Sequence, residues 1–162
     1  MLNDHVYDGL NKQVNAEIFS AYFYLSMATY FDSMNLNGFA HWMRVQSREE
    51  LSHAMKLSRY VHDRGRQVLL GSIEAPQSRW QSPLAVFEDA YKHEQSISVQ
   101  YDRLVELSNE HRDHATGVFL QWFLTEQVEE EASVDNMARK LRLIGESISG
   151  LFMLDRELAG RQ

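Results

Sequence analysis

Apolar residues recur at alternating three- and four-residue steps along four long stretches of the chain, the period of one face of an α-helix. The first stretch, residues 4–33, carries Leu10, Val14, Glu17, Ala21, Tyr24, Ala28 and Phe31 on one stripe. Asn35-Leu36-Asn37-Gly38 ends it with turn residues. The second, residues 39–64, carries Phe39, Met43, Gln46, Glu50, His53, Leu57 and Tyr60, with Gly65 as its stop. Residues 66–81 show little periodicity and contain Gly71 and Pro76. Ser82-Pro83 then opens a third helix, serine suiting the N-cap and proline the first helical position. That stretch carries Leu84, Phe87, Tyr91, Glu94, Ser98, Tyr101 and Val105. After a polar link at residues 109–113, the fourth carries Leu120, Phe123, Gln127, Glu130, Val134, Met137, Leu141 and Ile144. Beyond Gly145 and Gly150, Leu151, Leu154 and Leu158 fall on one side of a short amphipathic piece.

Each long stretch has about 26–30 residues, which at ~1.5 Å per residue gives matched helices of about 40 Å. This pattern predicts an all-α four-helix bundle at residues 4–144, with a short C-terminal fifth helix at about 151–158, the whole of 1–162 forming one domain. The short first and third links make their neighbours antiparallel. The sixteen residues 66–81 can reach about 50 Å when extended. They therefore read as a long crossover that leaves helices two and three parallel.

Composition supports helix and narrows the chemistry. The 162 residues include only two prolines and eight glycines, with 44% hydrophobic and 24% charged residues. A net charge of −7 and the lack of a basic stripe argue against nucleic acid as a partner and suit a protein that attracts cations. There is no cysteine, so thiolate ligands and disulfides are excluded. Met1-Leu2-Asn3-Asp4-His5 does not read as a signal peptide, and no apolar run is long enough to span a membrane. A cytoplasmic location is the default expectation.

Every stripe is interrupted by polar residues where apolar ones are expected: Glu17, then Glu50 with His53, then Glu94, then Gln127 with Glu130. Counted from helix starts near residues 6, 38, 83 and 115, Glu17, Glu50, Glu94 and Gln127 all lie about 11–12 residues in. They meet at one level whichever way each helix runs. A single core glutamate could reflect a shifted register, and a lone core histidine is as readily hydrogen-bonded as a ligand. Four clustered carboxylates are different. Each unpaired buried ion costs several kcal/mol, like charges repel at short range, and a domain's whole stability is only ~5–15 kcal/mol. No Lys or Arg stands on these stripe positions. Divalent cations solve the problem, with Glu50 placed to bridge two of them. Oxygen ligands with one imidazole suit Fe(II), Mn(II) or Zn(II) rather than Cu(I).

Over essentially its whole length the chain resembles the bacterial non-haem ferritins. The matching runs are Glu17 with Tyr24, Glu49-Glu50-Leu51-Ser52-His53, Tyr91-Lys92-His93-Glu94-Gln95, and Phe119-Leu120-Gln121-Trp122 leading into Glu126-Gln127-Val128-Glu129-Glu130-Glu131. Ferritin-like carboxylate bundles commonly supply one Glu from each of two helices and Glu-x-x-His from each of the other two. Here the fourth helix departs, offering Gln127-Val128-Glu129-Glu130. The resemblance implies a ferroxidase centre in which Glu17, Glu50 and His53 hold a first iron. Glu50, Glu94 and Glu130 would hold a second, with Gln127 hydrogen-bonding beside it. Glu49, Glu126, Glu129 and Glu130 match a third iron site, although on their own they read as a solvated acidic face. Tyr24 would be an electron donor or hydrogen-bond partner, and packing also accounts for it. Leu51 stands where bacterioferritins place a haem-ligating methionine, and Glu130 where they place histidine. No haem is therefore expected.

The implied function is iron storage and detoxification. Fe(II) would be oxidised to Fe(III) by O₂ or H₂O₂ inside the bundle, and the ferric mineral kept in a homo-oligomeric cage of 24 chains. The fifth helix, too short to persist alone, would dock its apolar face on neighbouring chains. Two alternatives stay open: a di-iron oxidase or peroxidase that stores no mineral, and a structural bundle whose carboxylates lie in a different register. His5, His41, His62, His93, His111 and His114 fall off the core stripes and read as surface residues, His93 also as a neighbour of the Glu94 site.

Overall fold

The computed structural model describes residues 2–162, which form five helices and no strand: α1 Asp4–Ser33, α2 Asn37–Asp63, α3 Pro83–Glu110, α4 His114–Ile144 and α5 Ile148–Leu158. The four long helices make the bundle and α5 lies against its end. Helix ends follow local chemistry. The side chains of Asn3, Ser82, Asp113 and Ser147 cap α1, α3, α4 and α5 by accepting backbone N–H bonds. Gly65 and Gly145 take positive φ of 79° and 56° just past the ends of α2 and α4, a conformation that favours glycine.

α2 lacks a cap of its own, because Leu36 precedes it. α5 supplies one: Asp155 Oδ1 accepts the Phe39 N–H at 3.0 Å. The approach is so close that a Cβ on Gly38 would come within 1.7 Å of the Asp155 carbonyl oxygen. Leu154 and Leu158 are buried in the bundle's own core, with Leu151 against it. The apolar face expected to dock on neighbouring chains is therefore used within the chain. Ile148, Phe152 and Met153 form the exposed side of α5 instead. A short amphipathic stripe shows an apolar face but not which surface will cover it.

The crossover is pinned along α1. Tyr7 Oη donates to the Gln67 carbonyl at 2.7 Å, and the Asn11 and Asn15 side chains bond both ways with the backbone of Leu69 and Gly71. Further on, Ser26 Oγ donates to the Gln77 carbonyl at 2.6 Å, and Trp80 packs edge-on to Tyr30. The segment thus runs parallel to α1 from one end of the bundle to the other and leaves α3 parallel to α2, as the residue count required.

The core is split. One apolar cluster, built around Tyr24, Met27, Phe31, Phe39, Met43 and Phe87, fills the end near α5. Another, around Leu10, Val14, Leu57, Tyr101, Leu120 and Phe123, fills the opposite end. Between them lies a band of buried polar side chains.

Candidate metal centre

Glu17, Glu50, Glu94 and Glu130 come from the four long helices, and all are buried, with exposures from 0% to 8%. Their mid-helix positions explain the convergence, since antiparallel helices of matched length share their midpoints. The geometry offers two overlapping ligand sets, Glu17–Glu50–His53 and Glu50–Glu94–Glu130. In each set the ligand atoms lie within 4.8 Å of one another, and Glu50 belongs to both.

In the first set, Glu17 Oε1 accepts hydrogen bonds from Tyr101 Oη at 2.6 Å and from Gln13 Nε2 at 2.8 Å. Its other oxygen, Oε2, has no hydrogen-bond partner, and neither has His53 Nδ1, which lies 3.7 Å from it and 3.5 Å from Glu50 Oε2. Burial opposes ionisation of Glu17, but the neighbouring His53 and the Tyr101 and Gln13 donors hold its pKa below the ordinary value. Burial likewise opposes the charged form of His53; Glu17 and Glu50 outweigh it and push the imidazole up to about 10. Trp122 and Phe123 wall the ring edge-on. Glu17 and His53 balance one another's charge without a hydrogen bond, and a cation that displaces the His53 proton would find both atoms free to hold it.

In the second set, Tyr24 Oη donates to Glu94 Oε1, and Gln127 Nε2 donates to Glu94 Oε2 at 3.2 Å. Gln46 Nε2 donates both to Glu50 Oε1, at 2.9 Å, and to Glu130 Oε2. Burial, with Glu130 close by, raises Glu94 to about 7. Burial and the charges of Glu94, Glu17 and Glu130 push Glu50 well up, and burial raises Glu130. Three carboxylates resisting ionisation together form a ready acceptor for a divalent cation.

A cavity of about 450 Å³ opens beside this set, lined by Glu49, Glu126, Glu129, Glu130, His53 and Arg161 among others. Glu126 and Glu130 can each bring an oxygen within 4.8 Å of a His53 nitrogen. Glu49 is engaged by Arg161 Nη2 at 2.7 Å, and Glu129 is exposed at the rim. The four residues matched to a third iron site thus share a cavity, with one of them tied to a cation.

Several participants escaped the sequence reading. Gln46 and Tyr101 stood on core stripes with polar tips, which was a usable signal. Gln13 precedes Glu17 by four residues, as Gln46 precedes Glu50, and both glutamines bond those carboxylates. Arg161 could not be seen, because it reaches the centre from beyond α5. Two of the six histidines assigned to the surface are half-buried. His93 lies among Phe19, Phe23 and Tyr24, with Nε2 2.7 Å from Ser20 Oγ, and burial lowers its pKa to about 4. His41 Nε2 meets the Arg161 carbonyl at 2.6 Å. Leu51, at the position where bacterioferritins place a haem-ligating methionine, is exposed on α2.

Known proteins match throughout. The Ferritin family, described as a ferritin-like domain, matches residues 7–144. A bacterial non-heme ferritin of Staphylococcus saprophyticus is 39% identical over 161 residues, covering 99% of this chain and 96% of that protein. One of Bacteroides fragilis is 37% identical over 161 residues, covering 99% of this chain and 100% of that protein. Among solved structures, the open pore ferritin of the archaeon Archaeoglobus fulgidus superimposes with a TM-score of 0.99 at 52% identity, covering 100% of this chain and 99% of that one. The chain belongs to the ferritin family. No helix among the described residues is long and apolar enough to cross a membrane.

Proposed function

We propose that this member of the ferritin family is a ferroxidase and iron-storage subunit that works in the cytoplasm as part of a 24-chain cage. The observation that carries the reading is the buried Glu17–His53 face, where Glu17 Oε2 and His53 Nδ1 have no hydrogen-bond partner and share a ligand set with Glu50. Fe(II) is the substrate. One ion is held by Glu17, Glu50 and His53 and a second by Glu50, Glu94 and Glu130, so that Glu50 keeps the pair together. Two ferrous ions give up one electron each. O₂ with two protons then leaves as H₂O₂, or H₂O₂ with two protons leaves as two waters.

The protein's part is to hold two reductants together and to favour Fe(III). Excess carboxylate charge in a water-poor site stabilises the higher oxidation state. Tyr24, bonded to Glu94, stands ready as a hydrogen-bond partner or a source of one further electron. Gln127 steadies Glu94 from α4. The cavity lined by Glu49, Glu126 and Glu129 receives a third ion on its way to or from the pair, and the overall charge of −7 draws cations toward the assembly.

The deciding experiment is aerobic Fe(II) oxidation by the wild type and by the Glu50→Ala, His53→Ala double variant. The initial rate should collapse in the variant; an intact rate would remove the di-iron assignment. Elution near twenty-four times the mass of one chain supports storage. A stable dimer with intact oxidation would favour a di-iron oxidase without a mineral store.

A further inference from the structure

Arg161 lies in the tail beyond α5, yet its head group reaches the metal centre. Its Nη2 donates to Gln46 Oε1 at 2.9 Å and to Glu49 Oε2 at 2.7 Å, and its Nη1 donates to the Trp42 carbonyl at 3.3 Å. The guanidinium lies 4.2 Å from the centre of the Trp42 ring. The residue's backbone is held as well, by His41 Nε2 at its carbonyl. On the far side of Gln46, the amide NH₂ is shared between Glu50 and Glu130. Gln46 itself has no exposed surface.

We propose that Arg161 is a positioning residue for the metal position formed by Glu50, Glu94 and Glu130, acting through Gln46; this rests on the functional reading above. The guanidinium holds the amide oxygen, so the amide cannot turn over. The NH₂ therefore stays on one oxygen of Glu50 and one of Glu130, and each carboxylate keeps its second oxygen for the ion. Stacking on Trp42 while bonding three acceptors suits a planar guanidinium and not an ammonium.

A simpler role would be that of a fixed counter-charge, and the two roles predict opposite signs. A cation near three carboxylates repels a divalent ion, so removing a mere counter-charge tightens metal binding. Removing a positioning residue loosens it, because Gln46 loses a donor that solvent has no surface to replace. Positioning should dominate, since Glu49 already pairs the Arg161 charge.

The test is an anaerobic Co(II) titration of the assembled protein, read by the absorbance of bound Co(II). It compares wild type, Arg161→Met, and Arg161→Met combined with Glu49→Gln, which leaves the summed charge unchanged. Wild type should bind two equivalents per chain tightly. Both variants should keep one and bind the other about tenfold or more weakly, the loss typical when a group supporting a metal ligand is removed. Anomalous scattering from Co(II)-soaked crystals should place the loss at Glu50, Glu94 and Glu130. Arg161→Lys, which keeps the charge and the stem, should show the same loss and carries the test if the Met variants do not assemble. Unchanged or tightened binding overturns the role of Arg161 and leaves the metal reading intact. Absence of tight Co(II) binding in the wild type overturns that reading and this inference with it.

Discussion

Glu17 on α1 and Glu94 on α3 hold equivalent places, yet the protein surrounds them in opposite ways. Each accepts a bond from a tyrosine of the other helix: Tyr101 of α3 bonds Glu17, and Tyr24 of α1 bonds Glu94. Each tyrosine lies seven residues after the glutamate on its own helix. The same correspondence relates α2 to α4, where Gln46, Glu49, Glu50 and His53 parallel Glu126, Glu129, Glu130 and Ser133. Symmetry breaks at the first pair, amide against carboxylate, and at the last, imidazole against hydroxyl. His53 gives Glu17 a cationic neighbour, and the two share a stable charged state, with Glu17 lowered and His53 raised to about 10. Ser133 offers Glu94 no such partner, and Glu94 rises to about 7. His53, with the Tyr101 and Gln13 donors, holds Glu17 in its charged form, whereas Glu94, with Glu130 close by and no cation beside it, keeps its proton to higher pH.

The shared bridge is where both halves break at once. Glu50→Ala removes a ligand from each set, so it should lower the initial rate of Fe(II) oxidation by more than about 100-fold, beyond the range seen for supporting groups. Glu17→Ala and Glu94→Ala each spare one set and should retain one tight Co(II) equivalent in the same titration. If Glu50→Ala is no worse than either, Glu50 does not bridge.

Protons should compete with metal in both halves. Glu94 is raised above its ordinary 4.5, so its contribution to metal-free stability is complete below about 4.5 and lost as pH rises through about 7. His53 is raised above its ordinary 6.5, and its contribution is complete below 6.5 and fades toward about 10. The depressed Glu17 acts the other way, contributing above its ordinary 4.5 and failing on acidification. Metal needs the deprotonated ligands, so the gain on loading should widen between pH 5.5 and 8. A free metal concentration 100 times Kd adds about 2.7 kcal/mol per site. Calorimetry of metal-free and Zn(II)-loaded protein at the two pH values measures the gap; a gap independent of pH would show that protons do not compete.

The fold was legible because each stripe kept its period through thirty residues, and the crossover followed from the length of the gap. Glu17, Glu50, His53, Glu94 and Glu130 were legible as polar groups out of place in an apolar stripe. What stayed hidden depends on partners remote in sequence. The exchange of tyrosines needs α1 beside α3, the cap on Phe39 needs Asp155 from another helix, and Arg161 gives no sign in the tail that its head lies beside Glu49. Periodicity reports which face is inside, not which side chains meet there.

Removing the two phenols should sharpen the comparison most finely. Tyr101→Phe takes a donor from a Glu17 that stays ionised, so its cost should be about 1.5–3 kcal/mol, the range for hydrogen bonds to charged groups. That cost should be nearly flat from pH 5.5 to 8, because the Glu17 pKa lies below this window. Tyr24→Phe acts on a carboxyl that changes state inside it. Below about 7 Glu94 is largely protonated, the lost bond is a neutral one, and the cost should be about 1 kcal/mol. Above 7 the carboxylate is charged and the cost should climb toward the Tyr101 value, moderated by Gln127, which still donates to Glu94. Thermal midpoints of the two metal-free variants, followed across the window, should therefore start apart and converge. Parallel curves would mean that Glu17 and Glu94 share one protonation state, and that His53 does not break the symmetry between them.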